Sequence, residues 1–350
     1  MRTLVNSPAF DFGELQFDWG EVVLAAIGWE EWQRLERSLS EGMACVSDAQ
    51  ARGELPDPAT LREATLAFRR SQNLLAGEDY EQWLLDRALS TQDVDAHLAR
   101  VLLRDRAGDR AAELHEHNPT DPRELAGLVR AEAVLSRRLR SWSQRLARCV
   151  GAERGLSAAP QSPREVSGDA TGALLAAVAG CPAAGLSSAQ AAERAPRVSR
   201  LLAAERQFRA QAATQERVER SFAEHLLDWQ RLLWSEANFG SEGAAREAAL
   251  AVRADGQTLE QVAGLAGAST SQRDAYCADV PELSAMLVGA APGELVGPFP
   301  ADGGWRLACV RERIPPTVAD QVLHTRASAE AVEDALGRYM AGGVTWHGEC

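Results

Sequence analysis

The chain has no lysine: all 37 of its basic residues are arginine. Lysine nucleophiles and Schiff bases are therefore excluded, because a guanidinium does not give up its proton to act as either. With alanine and glycine abundant, this bias reads as a chain from a GC-rich bacterial genome. No apolar run approaches the roughly 20 residues of a membrane span. The first residues, "MRTLVNSPAFDFGELQ", lack the basic-then-apolar pattern of a signal peptide, so a cytoplasmic protein with no membrane partner is expected. The six cysteines are scattered, without a Cys-x-x-Cys pair, and read as reduced, mostly buried thiols. Gly-x-Gly-x-x-Gly, a Walker loop, Gly-x-Ser-x-Gly and His-Glu-x-x-His are all missing, which removes support for nucleotide-binding, hydrolase and zinc-protease readings.

What is present is an ordinary globular composition, 45% hydrophobic and 25% charged over 350 residues, enough for two or three domains. A net charge of −13 argues against nucleic acid as a partner, since tracking phosphates needs a clustered cationic face. It suits a cationic peptide better. Nine tryptophans against three tyrosines is an unusual balance, and indole serves both cores and peptide interfaces.

The patterning falls into segments. Residues 1–20 alternate weakly and suit a strand or an extended arm. Residues 21–150 read as a helical layer. In it, Val22, Leu24, Trp29, Trp32, Leu35 and Leu39 recur near helical spacing before Gly42 as a stop, and Pro56 and Pro58 break the chain. Ser90 and Asp93 stand at capping-box spacing, and Thr120 or Asp121 caps a helix whose first residue is Pro122. Residues 151–172 are rich in Gly, Ser, Ala and Pro and read as a linker or loop. A helical connector over 173–231, broken near Pro196, precedes the change of pattern at 232. There two short helices lead to "APGELVGPFP" and "GGWRLACVRERIPP", two strands joined at Asp302-Gly303-Gly304. Residues 317–350 hold a last helix, capped around Gly342 and Gly343, and a polar tail.

Strand, helix, helix, extended loop, helix, "APGELVGPFP" and closing strand, over residues 232–316, resemble a parvulin-type peptidyl-prolyl isomerase domain. "FRRSQNLLAGEDYEQWLLDRALSTQDVDAHLARVLLRDR" is similar to the helical N-terminal part of chaperones that carry such domains. The resemblance implies an α+β fold: a mostly helical N-terminal part (1–150) packed with a flanking C-terminal helix, plus a degenerate parvulin-like domain. Parvulins place histidines in the first and closing strands. Here the first strand reads "RLLWSEANF" and Arg306 stands where the closing-strand histidine belongs, so the isomerase site is degenerate and no catalytic residue is assigned. What the resemblance leaves is a peptide-binding groove, with Trp305, Arg306, Trp234, Phe299, Met286 and Tyr276 as its lining. Because side chains alternate along a strand, Arg306 faces away from Trp305 and Leu307, so only one of these faces can be the groove.

Degenerate parvulin relatives of this kind resemble the peptide-binding proteins of ribosomally made natural-product pathways, among them crocagin-type biosynthesis. That likeness implies a precursor peptide as partner, modifying enzymes of the same pathway beside it, a homo-oligomer as an open option, and no cofactor. A prolyl isomerase or peptide cyclase, and a general holdase chaperone, stand as alternatives.

His115 and His117 alternate in "HEH", and "WHGEC" offers His347, Glu349 and Cys350, but neither has partners at metal-ligand spacing, so no metal is expected. His225, four residues before Trp229, reads as structural. His324 and Glu294 form an acid–base pair only if the fold joins them.

Overall fold

The computed structural model describes residues 4–158, 168–301, 303–341 and 343–347. Along the chain run β1 (Pro8–Phe12), β2 (Leu15–Asp18), α1 (Trp19–Gly28), α2 (Glu31–Arg52), α3 (Pro58–Ser71), α4 (Gly77–Asp86), α5 (Thr91–Ala107) and α6 (Arg110–His117). Then come α7 (Pro122–Leu135), α8 (Arg138–Ser157), α9 (Gly168–Ala179), α10 (Ser188–Ala212), α11 (Gln215–Glu224), β3 (Arg231–Phe239), α12 (Glu242–Asp255) and α13 (Leu259–Leu265). The chain closes with β4 (Ser269–Tyr276), α14 (Pro281–Leu287), β5 (Leu295–Ala301), β6 (Gly304–Ile314), α15 (Gln321–Met340) and β7 (Val344–Trp346). The fold is α+β and mostly helical. Two compact units divide it, one of residues 1–209 with 336–350 and one of residues 210–335, so the division falls inside α10 and α15.

In the first unit the helix α1 is buried from Trp19 to Ile27, as a helix apolar on every side must be. Asp18 opens it with a capping box to Glu21, and Arg194 of α10 clamps Asp18 at 2.7 Å. Trp32 and Trp142 meet beside it with ring centroids 5.8 Å apart. Both predicted starts at Ser90 and Asp121 are observed caps, the second with Pro122 at the first turn.

Gly42 does not stop a helix. It lies inside α2, where an added Cβ would sit 3.0 Å from Cβ of Arg100, so the glycine admits α5 rather than ending α2. Pro196 likewise sits within a continuous α10, because buried Ala191, Ala195, Val198 and Leu201 anchor the helix on both sides of the one hydrogen bond that proline removes. The segment read as a linker is helical up to Ser157 and again from Gly168; residues 159–167 lie outside the described residues, as do Asp302, Gly342, Glu349 and Cys350. The polar tail contains a strand, β7, which joins the hairpin in the order β2-β1-β7.

The second unit is a four-stranded antiparallel sheet in the order β4-β3-β6-β5. The stretch expected to be an extended loop, "STSQRDAYCADVP", is strand β4 over its first eight residues, because it pairs with β3 from Asn238↔Ser269 to Arg231↔Tyr276. Side chains alternate across the sheet. Ala237, Phe239, Leu295 and Leu307 pack against α12 and α13 on one face. On the other, Leu232, Trp234, Phe299, Ala308 and Val310 pack against Leu287 of α14.

Gly304, where β6 begins, has backbone of β3 directly over it: a Cβ there would overlap the Phe239 carbonyl oxygen. A backbone atom cannot swing aside as a side-chain tip does. Gly304→Ala is expected to cost about 1–3 kcal/mol by overpacking, read from urea unfolding followed by circular dichroism; wild-type stability would show that the strand end relaxes freely.

Candidate functional site

The β3 sequence "RLLWSEANF" places Trp234, Glu236 and Asn238 on one face by strand periodicity. Register then brings neighbours to them: Ser271 lies opposite Glu236, Arg273 opposite Trp234, and Arg306 opposite Asn238. Glu236, only 2% exposed, is the centre. Its Oε2 accepts from Trp234 Nε1 at 3.1 Å and lies 3.5 Å from an Arg306 guanidinium nitrogen. Its Oε1 accepts from Ser271 Oγ at 3.1 Å and Arg273 Nε at 2.9 Å. Arg306 Nε also donates to Asn238 Oδ1 at 3.1 Å.

Burial works to raise the Glu236 pKa, but the Trp234 indole, Arg273, Arg306 and Ser271 outweigh it and hold the carboxyl below its usual range. A carboxylate so held, with donors on both oxygens, is a poor general base near neutral pH. The arrangement suits binding. Two guanidiniums against one carboxylate leave a net positive patch, and the Arg273 side chain is 58% exposed. The local field is thus opposite in sign to that of the whole chain, and favours carbonyl oxygens and carboxylates over the cationic peptide that net charge suggests.

The six predicted lining residues divide among several surroundings. Trp234, Arg306 and Phe299 share the Glu236 face, where Phe299 lies across from Arg306 on β5. Trp305 is on the opposite face, packed with the α12–α13 cluster, so the adjacent pair Trp305 and Arg306 does not form one surface. Tyr276, at the end of β4, donates its hydroxyl to Asp320 at 2.7 Å and packs with the cluster around Trp229 and Leu323. Met286 is 40% exposed on α14. Glu236, Ser271, Arg273 and Asn238 were not among the candidates. The available signal was the one acid of strand β3, two residues from Trp234.

The two sheet edges differ. β5 carries Pro298 and Pro300, and Arg253 donates to the carbonyls of Leu295 and Gly297 at 3.1 and 2.9 Å, so this edge is blunted. β4 has no proline, pairs only with β3 among the described residues, and exposes Thr270, Gln272, Arg273 and Asp274. Its outer edge is a row of backbone donors and acceptors eight residues long.

Most of the remaining sequence candidates have local partners, whereas His115 Nδ1 is buried with none among the described residues. His225 is not within a long helix but follows α11, where it stacks on Trp229 at 4.8 Å and meets Glu330 at 2.7 Å. His347 reaches Asp11 at 2.6 Å, and His117 the Glu113 carbonyl at 2.7 Å. Glu294 accepts from the Ala291 amide, while His324 lies 3.4 Å from Ser328, so neither turns to the other. Among the described residues no group of three or more His, Cys, Asp or Glu side chains is placed to hold a metal ion, and no helix is long and apolar enough to cross a membrane. No protein-family model and no curated protein matches the chain.

Proposed function

We propose that this protein binds an extended peptide, which adds as a fifth strand to the outer edge of β4 and meets Arg273 of that strand. The observation that carries the reading is the open β4 edge next to the Glu236-anchored Arg273, on a sheet whose other edge is closed by prolines and Arg253. Strand addition draws affinity from main-chain hydrogen bonds and specificity from alternate side chains. The succession β3, α12, α13, β4, α14, β5, β6 supports a parvulin-like ancestry for this unit, with a tryptophan, a buried glutamate and an arginine in place of isomerase histidines. The occupant in this reading is a segment of a ribosomally made precursor peptide, held for modifying enzymes of the same pathway.

The test is panning the full chain against a displayed library of linear 12-residue peptides, followed by calorimetric titration of the enriched sequence. Arg273→Ala is expected to weaken binding about tenfold, the loss of one charge-assisted hydrogen bond. N-methylation of the bound peptide at alternate residues should abolish binding, and at the intervening residues should spare it. Failure to enrich any linear sequence, or N-methyl scanning without this alternation, would sink strand addition. Protection of unrelated unfolded proteins from aggregation would instead favour a holdase, and isomerisation of a prolyl peptide above the buffer rate would favour an enzyme.

A further inference from the structure

The first unit contains a cavity of about 390 Å³ that the sheet does not explain, formed where α1 gives way to α2 and where α9 and α10 run past. Its size is within the range of small-molecule sites. Two sequence periodicities build it. On α9, Ala170, Ala173 and Ala177 fall at i, i+3 and i+7 and leave space by being small; on α10, Ser199 and Arg206 fall seven apart and so share a face.

Two residues in the wall each have a polar atom without a partner. Ser199 is 3% exposed and its Oγ has no hydrogen-bond partner among the described residues; Oε1 of Gln33 is also unpartnered, although its amide nitrogen donates to the Ile27 carbonyl at 3.4 Å. Buried polar groups are nearly always paired, so two in one cavity wall call for a ligand or water to pair them. At the rim stand two exposed charges, Arg206 and Glu30. Arg206 has no ion pair among the described residues. Glu30 is fixed by its position at the α1–α2 turn, where its backbone is left-handed at φ 61°.

We infer that this cavity binds a small amphipathic acid: an apolar or aromatic group for the alanine-lined wall, an amide to pair with Ser199 and Gln33, and a carboxylate directed to Arg206. An amide offers both what the wall lacks, an N–H for the Gln33 oxygen and a carbonyl for the Ser199 hydroxyl. The opposite rim charges fix polarity: an anionic group gains at Arg206 and loses at Glu30.

The probe is 1-anilinonaphthalene-8-sulfonate, which carries two aromatic groups, an N–H and an anion, titrated into the full chain by fluorescence and competed with N-acetyltryptophan and with its methyl ester. Expected are saturable enhancement, displacement by the acid, and at least tenfold poorer displacement by the ester. Arg206→Gln should weaken the probe about tenfold and Glu30→Gln should tighten it; both are surface changes that leave the fold intact. Ser199→Ala removes the hydroxyl without adding bulk, and should weaken N-acetyltryptophan more than the probe. Ala173→Phe, at the exposed mouth, should block both. Near-ultraviolet circular dichroism checks that each variant is folded. The inference is overturned if folded Ala173→Phe binds the probe as wild type does, if Arg206→Gln and Glu30→Gln shift affinity in the same direction, or if acid and ester compete equally.

Discussion

Glu132→Ala is expected to lower the stability of the first unit by about 3–5 kcal/mol, because it leaves the buried Arg100 without its counter-charge and the buried His97 without its hydrogen-bond partner. Glu132, on α7, takes His97 Nδ1 at 3.0 Å on one oxygen and Arg100 at 2.8 Å on the other, and all three residues are nearly solvent-free. The loss comes from what remains behind, not from the value of the pair itself. Replacing all three together, as Glu132→Leu, His97→Leu and Arg100→Met, is therefore expected to restore stability to near wild type, with the methionine keeping the stem that packs on Gly42. Urea unfolding followed by tryptophan fluorescence measures both; a triple variant as damaged as Glu132→Ala would show that the ionic network is itself stabilising. Acid gives a second reading. Burial works to raise the Glu132 pKa, but His97 and Arg100 more than offset it and hold the carboxyl below its usual range. Its contribution is thus present above the unfolded carboxylate's pKa and lost as the pH falls through the lower folded value. Burial pushes Glu21 and Glu36 the other way, so the informative quantity is the difference between wild type and Glu132→Gln. That difference should shrink on acidification.

Local rules made part of this molecule legible. Caps such as Ser90 with Asp93, and Asp121 before Pro122, are decided by groups within one turn, so their chemistry is visible in four residues. Gly42 and Pro196 misled for the complementary reason: a residue that ordinarily ends a helix is kept inside one when a distant element needs the space or holds both flanks. "STSQRDAY" has no apolar alternation and suggests a loop; its strand conformation comes from pairing with β3, more than thirty residues earlier in the chain. The same distance hid the site. Alternation correctly separated Arg306 from Trp305, but which partner each face would meet depended on register. Only with Ser271 opposite it on β4 and Arg306 diagonal to it on β6 does Glu236 become a buried anion instead of one more surface acid.

Trp142→Ala is expected to cost about 3–5 kcal/mol, by a different route, since it opens a cavity instead of stranding a charge. Trp142 is 1% exposed, lies tilted against Trp32 at 5.8 Å, and donates its indole N–H to Glu31, which also holds Arg145 at 2.8 Å. Three contributions are lost together: buried area, the aromatic pair, and a hydrogen bond that orients Glu31. Trp142→Phe keeps most of the first two and removes the third, so it should fall well short of the alanine variant. Trp32→Phe keeps ring contact but loses the bond to Glu36 at 2.7 Å. In a double-mutant cycle, Trp32→Ala with Trp142→Ala should be less damaging than the sum of the singles, because neighbours that share one cavity couple. Additive losses would show that the two indoles pack independently. A matching change in the denaturant slope would place part of the effect in the unfolded chain instead. Because these residues belong to the first unit and the Glu236 site to the second, peptide titration of folded Trp142→Phe separates a stability role from a binding one: affinity should be unchanged while the unfolding midpoint falls.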